Sequence, residues 1–134
     1  MYLMKLENNE KFAFLKLAYY IANIDGELDL EEINVIEEYC AEMGLEDIDM
    51  DLEGFNLQEV LKEIKSARSQ KITLLELMVL IHSDDKFHKF ESKVITDIAM
   101  AFNITQHQLD IYSQWGKMTS ALFLQGELFI EEEL

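Results

Sequence analysis

Proline is absent from this 134-residue sequence, cysteine occurs once and glycine five times. With so few breakers, and with Leu, Ile, Glu and Lys abundant, the expectation is an all-helical fold. A single cysteine excludes an internal disulfide. Cys40 falls on the apolar side of its predicted helix, as a small core residue would. No apolar run reaches the ~18 residues of a membrane span. The start, Met1-Tyr-Leu-Met-Lys-Leu-Glu, has no charged region leading into an apolar run of leader length. A soluble, cytoplasmic domain is therefore expected, without membrane insertion.

Bases are scarce as well, 11 against 27 acids, which leaves a net charge of −16. That balance disfavours nucleic acid and anionic membranes as partners, and it favours cations or basic protein surfaces. The distribution is sharper than the total: between Leu17 and Leu61 there are fourteen acids and no Lys or Arg. Such a stretch reads either as a solvated face or as an acidic docking face for a protein partner. Apolar residues at 49% and charged ones at 28% place the chain among globular proteins. Its length suits one domain, 1–134, with a single core.

What the sequence does contain is one acidic corner written twice. The stretch Ile21-Ala-Asn-Ile-Asp25-Gly26-Glu-Leu28-Asp29-Leu-Glu-Glu32 joins two apolar helical patterns through a sharp turn. Asp29 with Glu32 has the spacing of a capping box. A shift of 59 positions carries Asp25 onto Asp84, Leu28 onto Phe87 and Glu32 onto Glu91. The apolar flanks keep the same register, Ile21 with Leu80, Ile36 with Ile95, Cys40 with Ala99 and Met43 with Phe102. This predicts two helical-hairpin repeats, about 10–45 and 70–104, each burying its apolar face against the other. C-terminal helices over 105–134 complete the chain.

Local signals supply the remaining bounds. Asn8 or Asn9 caps a first helix to about Ile24, apolar nearly all round and therefore central. A second helix runs from Leu30 to Met43 and ends at Gly44. The acid-apolar alternation of 46–53 reads as a loop or a single turn. Asn56 caps a third helix through about Arg68, whose Lys62, Lys65 and Arg68 form the chain's basic row. A fourth, from about Ile72 to Ile81, should pair with the first. A fifth runs from Lys89 to Phe102 and stops at Asn103. Thr105-Gln-His-Gln108 is a capping box for a sixth, with Leu109, Ile111, Tyr112 and Trp115 to bury. Gly116 should interrupt it, leaving Ala121–Leu124 and Leu128–Ile130 to pack as a terminal helix.

Against a calcium-binding EF-hand loop, Asn23, Asp25, Gly26, Leu28, Asp29 and Glu32 stand at suitable positions. The anchoring first position is Ile21, and Leu80 in the copy, which argues against a working EF-hand. A different pattern fits better: Ala22-Asn-Ile-Asp25-Gly26-Glu-Leu28-Asp-Leu-Glu-Glu32, followed by an apolar helix, resembles the TerB-like tellurite-resistance family. Ser83-Asp84-Asp85-Lys-Phe87-His-Lys-Phe-Glu91 with Val94-Ile95 resembles that family's second segment, although Asp85 replaces its Gly.

The resemblance spans about residues 10 to 110. It implies a compact all-α bundle of about seven helices with pseudo-twofold symmetry, and an acidic cluster of Asp25, Glu32, Asp84 and Glu91 where the two turns meet. A divalent cation is the cofactor such a cluster would take, and His82 and His88 nearby would favour a transition metal. Turn hydrogen bonds for the two Asp, and capping for the two Glu, are the competing structural roles. There is no Gly-rich phosphate loop, HExxH or telling nucleophile–His pairing. The expected function is thus a non-catalytic, TerB-like interaction domain tied by resemblance to tellurite or stress resistance. The alternative is a metal-dependent enzyme or sensor using Asp25, Glu32, Asp84, Glu91 and His88.

Overall fold

The structure is a computed structural model that describes residues 1–24, 30–45, 52–84 and 89–132, with the backbone alone at 84, 89 and 90. Over those residues it is all-helical. Six α-helices appear: α1 (Asn8–Ala22), α2 (Leu30–Met43), α3 (Leu57–Lys62), α4 (Ala67–Ile81), α5 (Lys89–Ala101) and α6 (Gln106–Glu131). Single 3-10 turns at Leu3–Lys5 and His82–Asp84 complete the order.

Most helix ends follow from local chemistry. Asn56 accepts from the Glu59 N–H at the start of α3. Thr105 and Gln108 close a reciprocal capping box on α6. Gly44 and Asn103 end α2 and α5 in the left-handed region, at φ 71° and 57°. Two starts differ from expectation. The cap of α1 is Glu7, which forms a box with Glu10 and leaves Asn8 inside the helix. Ser66 caps α4 by accepting from Ser69 N–H, so the expected third helix ends at Lys62 and α4 begins five residues early. The basic row is split accordingly, with Arg68 in the first turn of α4.

The helices α1 and α4 form the centre, packed against each other. Phe14, Leu15, Leu17, Ala18 and Ile21 of α1 and Leu74, Leu77 and Leu80 of α4 are wholly buried. Each such Leu or Ile contributes about 1.5–3 kcal/mol over an exposed one. Cys40 is buried as expected of a core residue. The bounds of α1 and α4 differ by 59 at both ends. The same shift relates the Leu45 N–H to Cys40 carbonyl bond (2.9 Å) to that from Ile104 to Ala99 (2.9 Å).

The C-terminal part departs most from expectation. Instead of breaking at Gly116, α6 runs through it for 26 residues. Gly116 is buried against α4, where a Cβ would lie 2.5 Å from Met78 Cβ. Its missing side chain therefore permits a close helix crossing. Beyond that crossing, Leu122, Phe123, Leu124, Leu128, Phe129 and Ile130 are exposed instead of packed, and Ile111 is exposed too. No helix among the described residues is long and apolar enough to cross a membrane.

Candidate functional site

The four acids singled out in the sequence are only partly in view. Asp25 lies outside the described residues, as do Asp29 and His88, and the Asp84 side chain is not described. Glu32, in the first turn of α2, is 2% exposed, and Glu91, in the first turn of α5, is 1% exposed. The His82–Asp84 turn packs against α2. His82 is half-buried and pairs through Nε2 with Ser113 Oγ (2.9 Å), tying this turn to α6. Among the described residues, no three His, Cys, Asp or Glu side chains are grouped to hold a metal ion.

A second acidic site is built by tertiary packing. Between α2, α4 and the far half of α6 lies a cavity of about 320 Å³. It is lined by Glu31, Glu38 and Glu42 of α2, Glu76 of α4 and Glu127 of α6, with no Lys, Arg or His among the described lining residues. On α2 the three acids recur at intervals of seven and four, which places them on one helix face. Val35, Val79, Phe123 and Leu124 add apolar lining, the last two from the exposed part of α6. Ser120 Oγ donates to the Val79 carbonyl (2.8 Å) and pins α6 at the cavity's edge.

The electrostatics differ from one end of the cavity to the other. At one end the Met1 ammonium bridges Glu42 and Glu76, 3.2 Å from Glu76 Oε1. Glu76 Oε1 also accepts the Tyr2 N–H (2.9 Å), and Glu42 Oε2 accepts the Leu3 N–H (3.2 Å). Burial acts against the ammonium's charge, but hydrogen bonding to Glu42 and attraction to both acids outweigh it and raise its pKa. Tyr39, buried beneath, donates from Oη to the Glu76 carbonyl oxygen. Burial first, then the charges of Glu76, Glu42 and Glu38, push its phenol well above the usual range. At the other end, Glu38 faces Glu127. Partial burial and then this like charge raise the Glu38 carboxyl above its ordinary value. The amino-terminal ammonium offsets this only in part, so this end is where an incoming cation would gain most.

Sequence reasoning found the acidic stretch of α2 but not this cavity. Glu38 and Glu127 stand 89 positions apart, and only the unbroken course of α6 through Gly116 brings them together. A smaller pocket of about 190 Å³ on the other side of the amino terminus is basic, with Lys5, Arg68 and Lys71 over Ile72 and Leu75. Compared with protein-family models, with curated proteins and with solved structures, the chain matches none of them.

Proposed function

We propose that this chain is a non-catalytic protein-interaction module whose acidic cavity docks a cationic amphipathic segment of a partner protein. The observation that carries this reading is the meeting of Glu31, Glu38 and Glu127 with the apolar side chains of Val35, Val79, Phe123 and Leu124 in one concave site. Lys and Arg side chains match both parts, with aliphatic stems for the apolar lining and charged heads for the carboxylates. The test is a fluorescence-anisotropy titration with an amphipathic peptide rich in Lys and Arg, beside one of identical apolar pattern carrying Gln. The cationic peptide should bind, and Glu38→Lys with Glu127→Lys should weaken it at least about tenfold, roughly 1.4 kcal/mol. Equal binding of both peptides, or no change in the double variant, would sink the proposal.

The TerB-like, two-repeat reading and a cytoplasmic stress or tellurite role belong to this proposal too, and rest on the motif resemblance. The 59-residue correspondence of α1 with α4 supports the repeat. A second reading places a divalent cation where the two corners meet, held by Asp25, Glu32, Asp84 and Glu91. Glu32 and Glu91 stand 59 positions apart, each in the first turn of its helix and each buried, and that matching placement favours it. Calorimetric titration of chelator-treated protein with calcium, magnesium, zinc and manganese tests it. Heat lost in Glu32→Gln with Glu91→Gln supports the site, and absence of heat with all four ions removes it.

A further inference from the structure

The far side of α6, turned away from the bundle and from the cavity, carries a separate signal. Leu109, Ser113, Gly116 and Ser120 form its inner face: Leu109 and Gly116 are buried, and the two serines bond to His82 and Val79. Half a turn round, Ile111, Met118, Leu122 and Phe129 are 53%, 63%, 65% and 65% exposed. At about 100° per residue these four fall within roughly 20° of one line. They form a narrow apolar seam about 27 Å long, and packing among the described residues leaves it uncovered.

Two features of the seam identify its occupant. First, the intervals of seven, four and seven read the same in both directions, with their midpoint at position 120. A two-fold interface requires a patch complementary to itself, so that residue i meets residue j and j meets i. An antiparallel pair of α6 helices centred on position 120 sets Ile111 of one copy against Phe129 of the other, and Met118 against Leu122. Second, the stretch 111–129 holds two charged residues, Lys117 and Glu127, and Glu127 lines the cavity on the other side of α6, in a chain with 27 acids. Two copies at −16 repel, and this band is one across which they can approach without facing carboxylates. Gln114, Gln125, Gly126 and the half-buried Trp115 flank the seam. At its ends the same pairing brings exposed His107 of one copy near exposed Glu132 of the other, a favourable contact repeated twice.

We infer that the outer face of α6 is a self-association surface, which joins two copies of this chain as an antiparallel, two-fold helix pair. The inference is independent of the peptide-docking reading, since the seam and the cavity lie on opposite sides of α6. In the pair, each copy keeps its cavity open.

Sedimentation velocity of the full chain over a concentration series tests this inference. The expected result is a reversible monomer–dimer equilibrium. Leu122→Glu should shift it to monomer by at least about tenfold in dissociation constant, with unchanged circular dichroism, and with unchanged melting temperature at concentrations where the native chain is monomeric, because Leu122 is exposed. Glu38→Lys with Glu127→Lys should leave it dimeric. Orientation is read by a bismaleimide cross-linker: Ile111→Cys mixed with Phe129→Cys should give covalent dimer, and neither variant alone should. Native Cys40 is buried and shared by all samples. Monomer throughout the series, a dimer indifferent to Leu122→Glu, or Ile111→Cys linking to itself would each overturn the inference.

Discussion

At the scale of single residues, Gly116 decides more than its size suggests. A Cβ there would meet Met78 Cβ at 2.5 Å and the Met78 backbone carbon at 2.7 Å, and neither belongs to a side-chain tip that can swing aside. Gly116→Ala should therefore destabilise the fold by about 1–3 kcal/mol despite its better helix propensity. Thermal unfolding would show this loss, whereas Gly126→Ala, which meets nothing within 4 Å, should hold or raise the melting temperature. Glu38 makes a second residue-level prediction, in pH. Its carboxyl is raised in the folded state, so the fold binds its proton more readily than the unfolded chain does. The stability linked to this proton is fully present below the ordinary value of 4.5 and is lost as pH rises through the folded value. Glu38→Gln should thus be more stable than the native chain at neutral pH, and the difference should vanish by about pH 4. A constant difference across melting curves from pH 4 to 8 would count against a raised Glu38 carboxyl.

At the scale of elements, the ends of α6 and α4 depend on side chains that offset unpaired backbone N–H groups. Thr105→Ala removes the acceptor for the Gln108 N–H, and Ser66→Ala removes the one for Ser69. Each should cost about 1 kcal/mol in denaturant unfolding at unchanged m value, because a cap is lost while little buried surface changes. Caps of this kind account for what was legible in the sequence. Asn56, Thr105, Gly44 and Asn103 act through hydrogen bonds or backbone preferences within a few residues, so local pattern reveals them. Ser66 was hidden because the helical periodicity of 57–62 flows into that of 67–81 with no Gly or Pro between. The outcome at Gly116 was hidden for a different reason: glycine reads as a break locally, and here its role is a contact with a helix 38 positions away. The cavity shared this fate. Glu38 and Glu127 each look like ordinary solvated helix acids until a long α6 sets one above the other. Of the four acids marked in the sequence, the structure adds to two, by burying Glu32 and Glu91.

For the whole molecule, one quantity acts on folding, docking and self-association with different signs. A net charge of −16 on 134 residues stores self-repulsion in the compact state. Raising ionic strength from about 0.01 M to about 0.3 M shortens the screening length from about 30 Å to below about 10 Å. That screening relieves the repulsion and should raise the melting temperature. It should also tighten the α6 pair, whose contact is apolar and whose opposing term is the charge of two like copies. Docking of a cationic peptide at Glu31, Glu38 and Glu127 must move the other way, because its attraction is screened by the same ions. A single salt series, read by melting curves, sedimentation and peptide anisotropy, therefore separates the two faces of α6. Peptide affinity that rises with salt would show that docking is not led by the carboxylates. Dimer affinity that falls with salt would show that charge, not the seam of Ile111, Met118, Leu122 and Phe129, joins the copies.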